Sequence, residues 1–479
     1  TNMSSAWKFW DYRFITPMGR FFICGIKGAK TVGTRAKILR YTTGKYFWTH
    51  VGLITVKNRD NMVSLFIFKS NSRGMRYGIG TYIRELIGAL LKYTDINLFL
   101  IDYRNIEIKE FFVETVSTRY SKIMIPAPQC SSVQTILDEK RYAAVVVNLL
   151  SGIIPRSGKV VFQMNSIDDF AIIEKLKKTY FYPVISIVHF AQWQLLFMAN
   201  KQRLKGLNID NPTNIIEFIL NREKKMYGLL SDHIVSVTRY MKAFLVGEYS
   251  INPSKITVVP NGLDISQYPE TSQEEKSILK AKLGFGPEEK IIVFSGRVDP
   301  CKGIYFLIDA FMEACKYRDN LRLVIIGHGD IQNCLNRTIS SFGKITYTGF
   351  IPSDNLMDFY KIADAGVVPS IYDHCPYTVL EMMAHKIPLI LSRINGLDEI
   401  LEDGQCLFVD PIIGEDGEMS FDTEEIAKSI LSVIGNEEKG KALASGYPRL
   451  IRTRFSSKRM AVELYSVLKT LYVAVETRI

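Results

Sequence analysis

Short apolar runs of strand length recur along this chain in two series, separated by loops and by stretches long enough for a helix. The first series falls at 63–68, 95–101, 143–149, 160–163, 184–188, 233–237 and 256–259. The second falls at 291–294, 321–326, 345–347, 365–368, 388–391 and 407–409. After the first run comes a turn-rich stretch, 69–80, and then Ile79, Tyr82, Ile83, Leu86, Leu90 and Leu91 share one helical face. Strand, loop, helix, strand implies a parallel sheet, because parallel neighbours need a crossover connection. A polar segment rich in Glu and Lys, 264–290, divides the series and reads as a linker, and 456–479 reads as a closing helix. The expectation is α/β: two tandem doubly wound, Rossmann-like domains, with ligand at the carboxyl ends of their strands.

A length of 479 residues suits two such cores, and 47% hydrophobic with 23% charged residues is a globular balance. Seven scattered cysteines, none in a CxxC pair, argue against a disulfide framework or zinc site and fit a reducing cytoplasm. No uninterrupted apolar run reaches the roughly 18 residues of a membrane span. The charge is lopsided: residues 1–60 carry +9 of the net +11, leaving the body nearly neutral. High pI therefore describes a leader, and a nucleic-acid partner is not expected. That basic, aromatic leader, taken as 1–61, reads as a peripheral membrane contact, a small added subdomain, or sequence upstream of a natural start at Met62.

Two stretches carry chemistry. The first, 294–303, follows an apolar run and precedes a helical pattern; it places Arg297 and Lys302 around Gly296 and Gly303. A guanidinium fork and an ammonium beside a helix N-terminus suit a diphosphate, although a solvated turn reads equally well. GxxxxGK[ST] is absent, so this is no P-loop. The second, 369–388, runs from a strand end into a helix and sets Asp373 and Glu381 eight positions apart. Each carboxylate can accept from a vicinal diol, as in ribose or a hexose, whereas alone they read as a capped turn and a solvated helix. The histidines form no HExxH spacing and no Asp-x-Asp occurs, so no metal site is expected.

In order, these pieces resemble the retaining glycosyltransferases of family 4, which have the GT-B fold, and most closely Bacteroides-type bacterial members. The residues carrying the resemblance are Val-Pro-Asn-Gly-Leu-Asp at 259–264, Gly296-Arg297 with Lys302-Gly303, and Ile-Ile-Gly-His-Gly-Asp at 325–330. With them go Thr-Gly-Phe at 348–350, Pro369-Ser370 with Asp373 and Glu381-Met-Met, and Asn-Gly-Leu-Asp-Glu at 395–399.

The resemblance implies an acceptor-side domain at 62–265 joined by the helix 456–479, and a donor domain at 266–455, facing each other across a cleft. It implies that Arg297 and Lys302 hold the donor diphosphate and that Glu381 binds the ribose. Gly296, Tyr377 and Thr378 join that donor site, and Gly78 and Gly80, within Arg-Tyr-Gly-Ile-Gly at 76–80, approach the phosphate from the other domain. The catalytic candidates are Asp373, where the family usually has Glu, and His189, facing the sugar. Pro376 departs from the family loop and has no N–H to give a phosphate.

The reaction implied is transfer of a hexose from a nucleotide diphosphate sugar to a glycan or glycolipid acceptor, with retention. The nucleotide sugar is a co-substrate, and no resident cofactor is expected. The location implied is the cytoplasm or the inner face of its membrane. Rival readings are an inactive nucleotide-sugar-binding regulator, and a sugar-phosphate synthase or phosphorylase on the same fold.

Overall fold

A computed structural model describes residues 62–71, 78–128, 135–339 and 341–476. The leader 1–61, with Arg76 and Tyr77 of the first glycine loop, lies outside the described residues.

The first sheet has eight strands: β1 (Ser64–Ser70), β2 (Asn97–Asn105), β3 (Phe112–Ser117), β4 (Tyr120–Pro126), β5 (Val160–Met164), β6 (Val184–Val188), β7 (His233–Ser236) and β8 (Ile256–Val258). Their order is β3-β4-β2-β1-β5-β6-β7-β8. Neighbours run parallel except β3, which is antiparallel to β4. The second sheet holds β9 (Lys290–Ser295), β10 (Leu321–Ile326), β11 (Ile345–Gly349), β12 (Ala365–Val368), β13 (Leu389–Ser392) and β14 (Leu407–Val409). Its order is β11-β10-β9-β12-β13-β14, parallel throughout. In β1, consecutive Leu65, Phe66, Ile67 and Phe68 have no exposed surface, as a strand covered by helices on both faces requires. Among the parallel strands the order turns between β1 and β5 in the first sheet and between β9 and β12 in the second, and such switch points are where open α/β sheets bind ligands.

Two expectations are corrected. The apolar run 143–149 belongs to the helix Ile136–Leu150, not to a strand. Thr135 caps that helix with a capping box, and Ala143, Val146, Val147 and Leu150 are buried at helical spacing, a period the short run alone conceals. The segment 264–290 is not a bare linker, because it contains the helix Gln273–Lys282. Ser272 caps it, Glu274 and Glu275 occupy its first turn and Lys280 and Lys282 its last, the charge order that suits a helix dipole. Lys276 then pairs with Asp364 at 2.8 Å, pinning the helix beside β12.

The helix Ser457–Glu476 returns to the first sheet and packs on the helix Gly78–Tyr93. Met460, Leu464 and Leu468, one stripe at i, i+4, i+8 spacing, and Ala461 beside them are fully buried. The two crossings between the sheets lie side by side: Leu263 N–H donates to Phe455 O (2.7 Å) and Ser457 N–H to Leu263 O (3.1 Å). A Cβ on Gly262 would stand 2.4 Å from the Ser456 carbonyl oxygen, so only glycine lets the crossings approach this closely. One apolar cluster therefore runs from the first sheet, through this junction, into the second.

Candidate functional site

β9 ends in a buried serine, and the chain turns through Gly296 to Arg297 and Asp299. The Asp299 side chain accepts from Lys302 N–H and closes the single turn Pro300–Lys302. Gly303 follows at φ +67° and opens the helix Ile304–Ala314. A Cβ there would lie 1.8 Å from the Pro369 carbonyl oxygen, so glycine lets this turn seat on the strand end of β12. Arg297 is held by its own turn, with Nη1 3.1 Å from Asp299 Oδ2 and Nη2 donating to Cys301 Sγ at 3.3 Å. The thiol is buried and donates to Asp299 (2.6 Å); burial pushes its pKa up to about 12, so it remains uncharged.

The loop after β12 faces this turn. Lys302 Nζ meets Asp373 Oδ2 at 2.5 Å, and Ser370 Oγ donates to the same oxygen at 3.3 Å. Asp373 Oδ1 accepts from His374 N–H at 3.1 Å. The expected phosphate cation and sugar-facing carboxylate thus form one ion pair at the β9/β12 switch point. Cys375 takes φ +48°, an uncommon conformation for a residue with a side chain, and its carbonyl accepts from Asn261 Nδ2 at 2.7 Å. Pro376 occupies the cap position of the helix Tyr377–Ala384, a place that tolerates its missing N–H.

Tyr377 is buried, and its hydroxyl donates to Gly262 O at 3.2 Å, so its ring lies within the junction between the sheets. Thr378 is half-buried in the same first turn. Glu381 is 6% exposed and accepts from Tyr360 OH at 3.3 Å. Burial pushes its pKa up to about 7, opposed by Arg84 across the gap between the sheets.

From the first sheet, Gly78 and Gly80 form the first turn of the helix Gly78–Tyr93; Gly78 is exposed and Gly80 half-buried. His189 directly follows β6, its ring edge-on to Tyr82 at 4.7 Å. Burial pushes its pKa down to about 3, so the imidazole is neutral, and its buried Nε2 has no hydrogen-bond partner among the described residues. Unpaired buried polar atoms are rare and ask for an explanation. Sequence reasoning missed the residues that bring the halves together: His374 Nε2 lies 2.8 Å from Gln194 Oε1, and Glu399 accepts from the N–H groups of Arg239 and Tyr240. No spacing signals such contacts; 395–399 was legible as a motif, but its partner was not. Among the described residues, no cluster of three His, Cys, Asp or Glu side chains could hold a metal ion. No described helix is long and apolar enough to cross a membrane.

Residues 275–446 match the family model described as glycosyl transferases group 1, and residues 169–267 match that of glycosyltransferase family 4. An uncharacterised glycosyltransferase of Methanocaldococcus jannaschii is 32% identical over 36% of this chain and 45% of its own length. D-inositol 3-phosphate glycosyltransferase of Rhodococcus jostii is 28% identical over 46% of this chain and 48% of its own. The chain thus spans about half the length of the curated relatives it matches. Among solved structures, sucrose-phosphate synthase of Thermosynechococcus elongatus superposes with a TM-score of 0.68 at 16% identity, over 86% of this chain and all of that one. Anabaena HepE in complex with UDP and glucose superposes with a TM-score of 0.65 at 15% identity, over 85% of this chain and all of that one. The fold is GT-B, two tandem Rossmann-like domains.

Proposed function

We propose that this chain is a glycosyltransferase that moves a hexose from a nucleotide diphosphate sugar to a saccharide or lipid-linked acceptor, with retention at the anomeric carbon. The observation carrying the reading is the Lys302–Asp373 pair at the β9/β12 switch point, with Arg297 beside it. In this reading Lys302, Arg297 and the N-terminus of the helix Ile304–Ala314 take up the charge that grows on the leaving diphosphate. Fixed cations and dipoles aimed at developing charge are the strongest means a protein has of lowering such a barrier. Asp373 accepts from hydroxyls of the transferred sugar, and Glu381 accepts from the ribose diol. In this reading neutral His189, whose buried Nε2 has no partner among the described residues, accepts from a sugar hydroxyl once donor enters the cleft.

In this reading the nucleotide sugar is a co-substrate, and no resident cofactor or metal is invoked. The domain division, with the acceptor side at 62–265 plus 456–479 and the donor side at 266–455, is part of the same proposal. The similarity to glycosyltransferases over both halves supports it.

The test is nucleotide release from a panel of UDP- and GDP-sugars by the wild-type protein, Arg297→Ala and Lys302→Ala. Each substitution is expected to lower turnover by roughly 10²–10³-fold, the scale of one lost charge-stabilising donor. Unchanged turnover in both variants would sink the diphosphate assignment. NMR of the product sets the stereochemistry, and an inverted anomer removes retention from the reading.

A further inference from the structure

The loop that holds Asp373 reaches the opposite domain through His374. This side chain is 6% exposed, and its Nε2 stands 2.8 Å from Gln194 Oε1. Its Nδ1 faces Thr238 Oγ1 at 3.5 Å, and its ring lies parallel to Tyr240, 5.9 Å between centroids. Those distances fit one arrangement of protons: Nε2–H donates to the amide oxygen, and Nδ1 accepts from the hydroxyl. Burial keeps the ring neutral, with its pKa pushed down to about 4.

Gln194 lies in the short helix Gln192–Phe197 that follows β6, three residues beyond Ala191, whose N–H it also binds. The segment between β6 and that helix is where His189 lies. Thr238 and Tyr240 follow β7. Beside His374, the loop after β13 delivers Glu399, which accepts from Arg239 N–H and Tyr240 N–H at 2.8 Å each and so caps the helix Arg239–Gly247 from the other domain. Two loops of the donor side thus sit on one seat built from the carboxyl ends of β6 and β7. Of the two, the loop bearing His374 also carries Asp373, whose carboxylate accepts from the His374 N–H at 3.1 Å and holds Lys302 with its other oxygen.

We propose that His374 is a positioning residue: seating its ring on Gln194, Thr238 and Tyr240 as the domains close fixes Asp373 in the arrangement that acts on the donor sugar. The inference rests on the proposed donor site, and it adds a rule for when that site is assembled. With the domains apart, the Asp373 carboxylate keeps Lys302 and Ser370 of its own domain, but the loop that carries it lacks the seat of His374 on Gln194, Thr238 and Tyr240, which forms only across the cleft. Closure that completes a reactive constellation is a recognised route to coupling binding with turnover. A small displacement of a positioned group costs up to about 10²-fold in rate.

The test uses the full chain and compares His374→Ala, Gln194→Ala, the double variant, His374→Gln and Glu399→Ala. Three quantities are read: UDP and GDP affinity by calorimetry, nucleotide release from the best sugar donor of a UDP/GDP panel, and melting temperature. His374→Ala is expected to lower turnover by about ten- to a hundredfold while nucleotide affinity stays within about threefold, because Arg297 and Glu381 are untouched. Gln194→Ala should reproduce a large part of the loss, and the double variant should be no worse than His374→Ala alone, since the contact Gln194→Ala breaks is already gone in that variant. His374→Gln, which can still donate to Gln194, should regain most of the rate. Glu399→Ala breaks the neighbouring cross-domain contact without touching Asp373, so its turnover should fall by less than that of His374→Ala. Additive losses in the double variant, or equal losses in Glu399→Ala and His374→Ala, would overturn the positioning role and leave plain interdomain adhesion. Turnover within twofold of wild type in a folded His374→Ala would do the same. If the wild-type protein binds neither nucleotide and releases none from the panel, the donor-site reading itself fails, a result distinct from the others.

Discussion

Lys302 and Asp373 lie 2.5 Å apart with each side chain less than a fifth exposed, so a ligand that uses one must share it with the other. A diphosphate competes with the aspartate for the ammonium, and a sugar hydroxyl competes with the ammonium for the aspartate. Asp373→Asn is expected to separate the two roles: nucleoside diphosphate binds roughly two- to fivefold tighter, the scale of a partly exposed ion pair, while sugar transfer falls. Calorimetry with UDP and GDP beside a transfer assay checks it, and weaker nucleotide binding would speak against the competition.

Glu381 supplies a pH signature at the same scale. Its carboxyl is held up to about 7 by burial, so below that pH it carries a proton and cannot accept two hydrogen bonds from a diol. Nucleotide binding that requires the ionised form then releases a proton below about pH 7. Affinity is expected to fall as pH drops through that value, by at most about tenfold per unit, and to level off above it. Glu381→Gln should give a flat profile; a profile unchanged by that substitution would move the titration to another group.

At the scale of elements, close approaches decide the geometry. Gly262 lets the two crossings run together, and a methyl there meets the Ser456 carbonyl at 2.4 Å. Gly262→Ala is expected to cost about 1–3 kcal/mol and to shift one domain against the other, visible as a lowered melting temperature and a changed small-angle scattering profile. Apart from β3 and β4, the strands of both sheets were legible in the sequence because most are apolar on both faces, a signal independent of neighbours. The helix Ile136–Leu150 was not, since five consecutive small and β-branched residues, 143–147, obscure its period. The hairpin of β3 and β4 escaped notice because β3 lies at the sheet edge with exposed, mixed residues, Phe-Val-Glu-Thr-Val-Ser. The charges Arg297, Lys302, Asp373 and Glu381 could be read from two short stretches, each fixed by its own turn and helix. His374, Gln194 and Glu399 could not, because their roles come from surfaces that meet only when the two sheets stand together.

At the scale of the whole molecule, the first domain is unfinished without the helix Ser457–Glu476. Deleting residues 457–476 uncovers the face on which Met460, Leu464 and Leu468 are buried, a loss of roughly 5–9 kcal/mol at about 1.5–3 kcal/mol per side chain. That is comparable with the whole stability of a domain. The truncated chain is expected to lose a cooperative unfolding transition by calorimetry while the second sheet keeps its own; two intact transitions would show that the helix is dispensable. The same arrangement has a consequence for synthesis. Asp95 and Tyr465, joined by a hydrogen bond between the returning helix and the start of β2, stand 370 positions apart in sequence. A ribosome delivers every strand of the second sheet before it delivers that helix, so the later half of the gene product can be finished first. The earlier half waits with one apolar flank bare. During that interval the first domain presents an uncovered apolar flank, and the pace of translation between β14 and the returning helix sets how long it stays so.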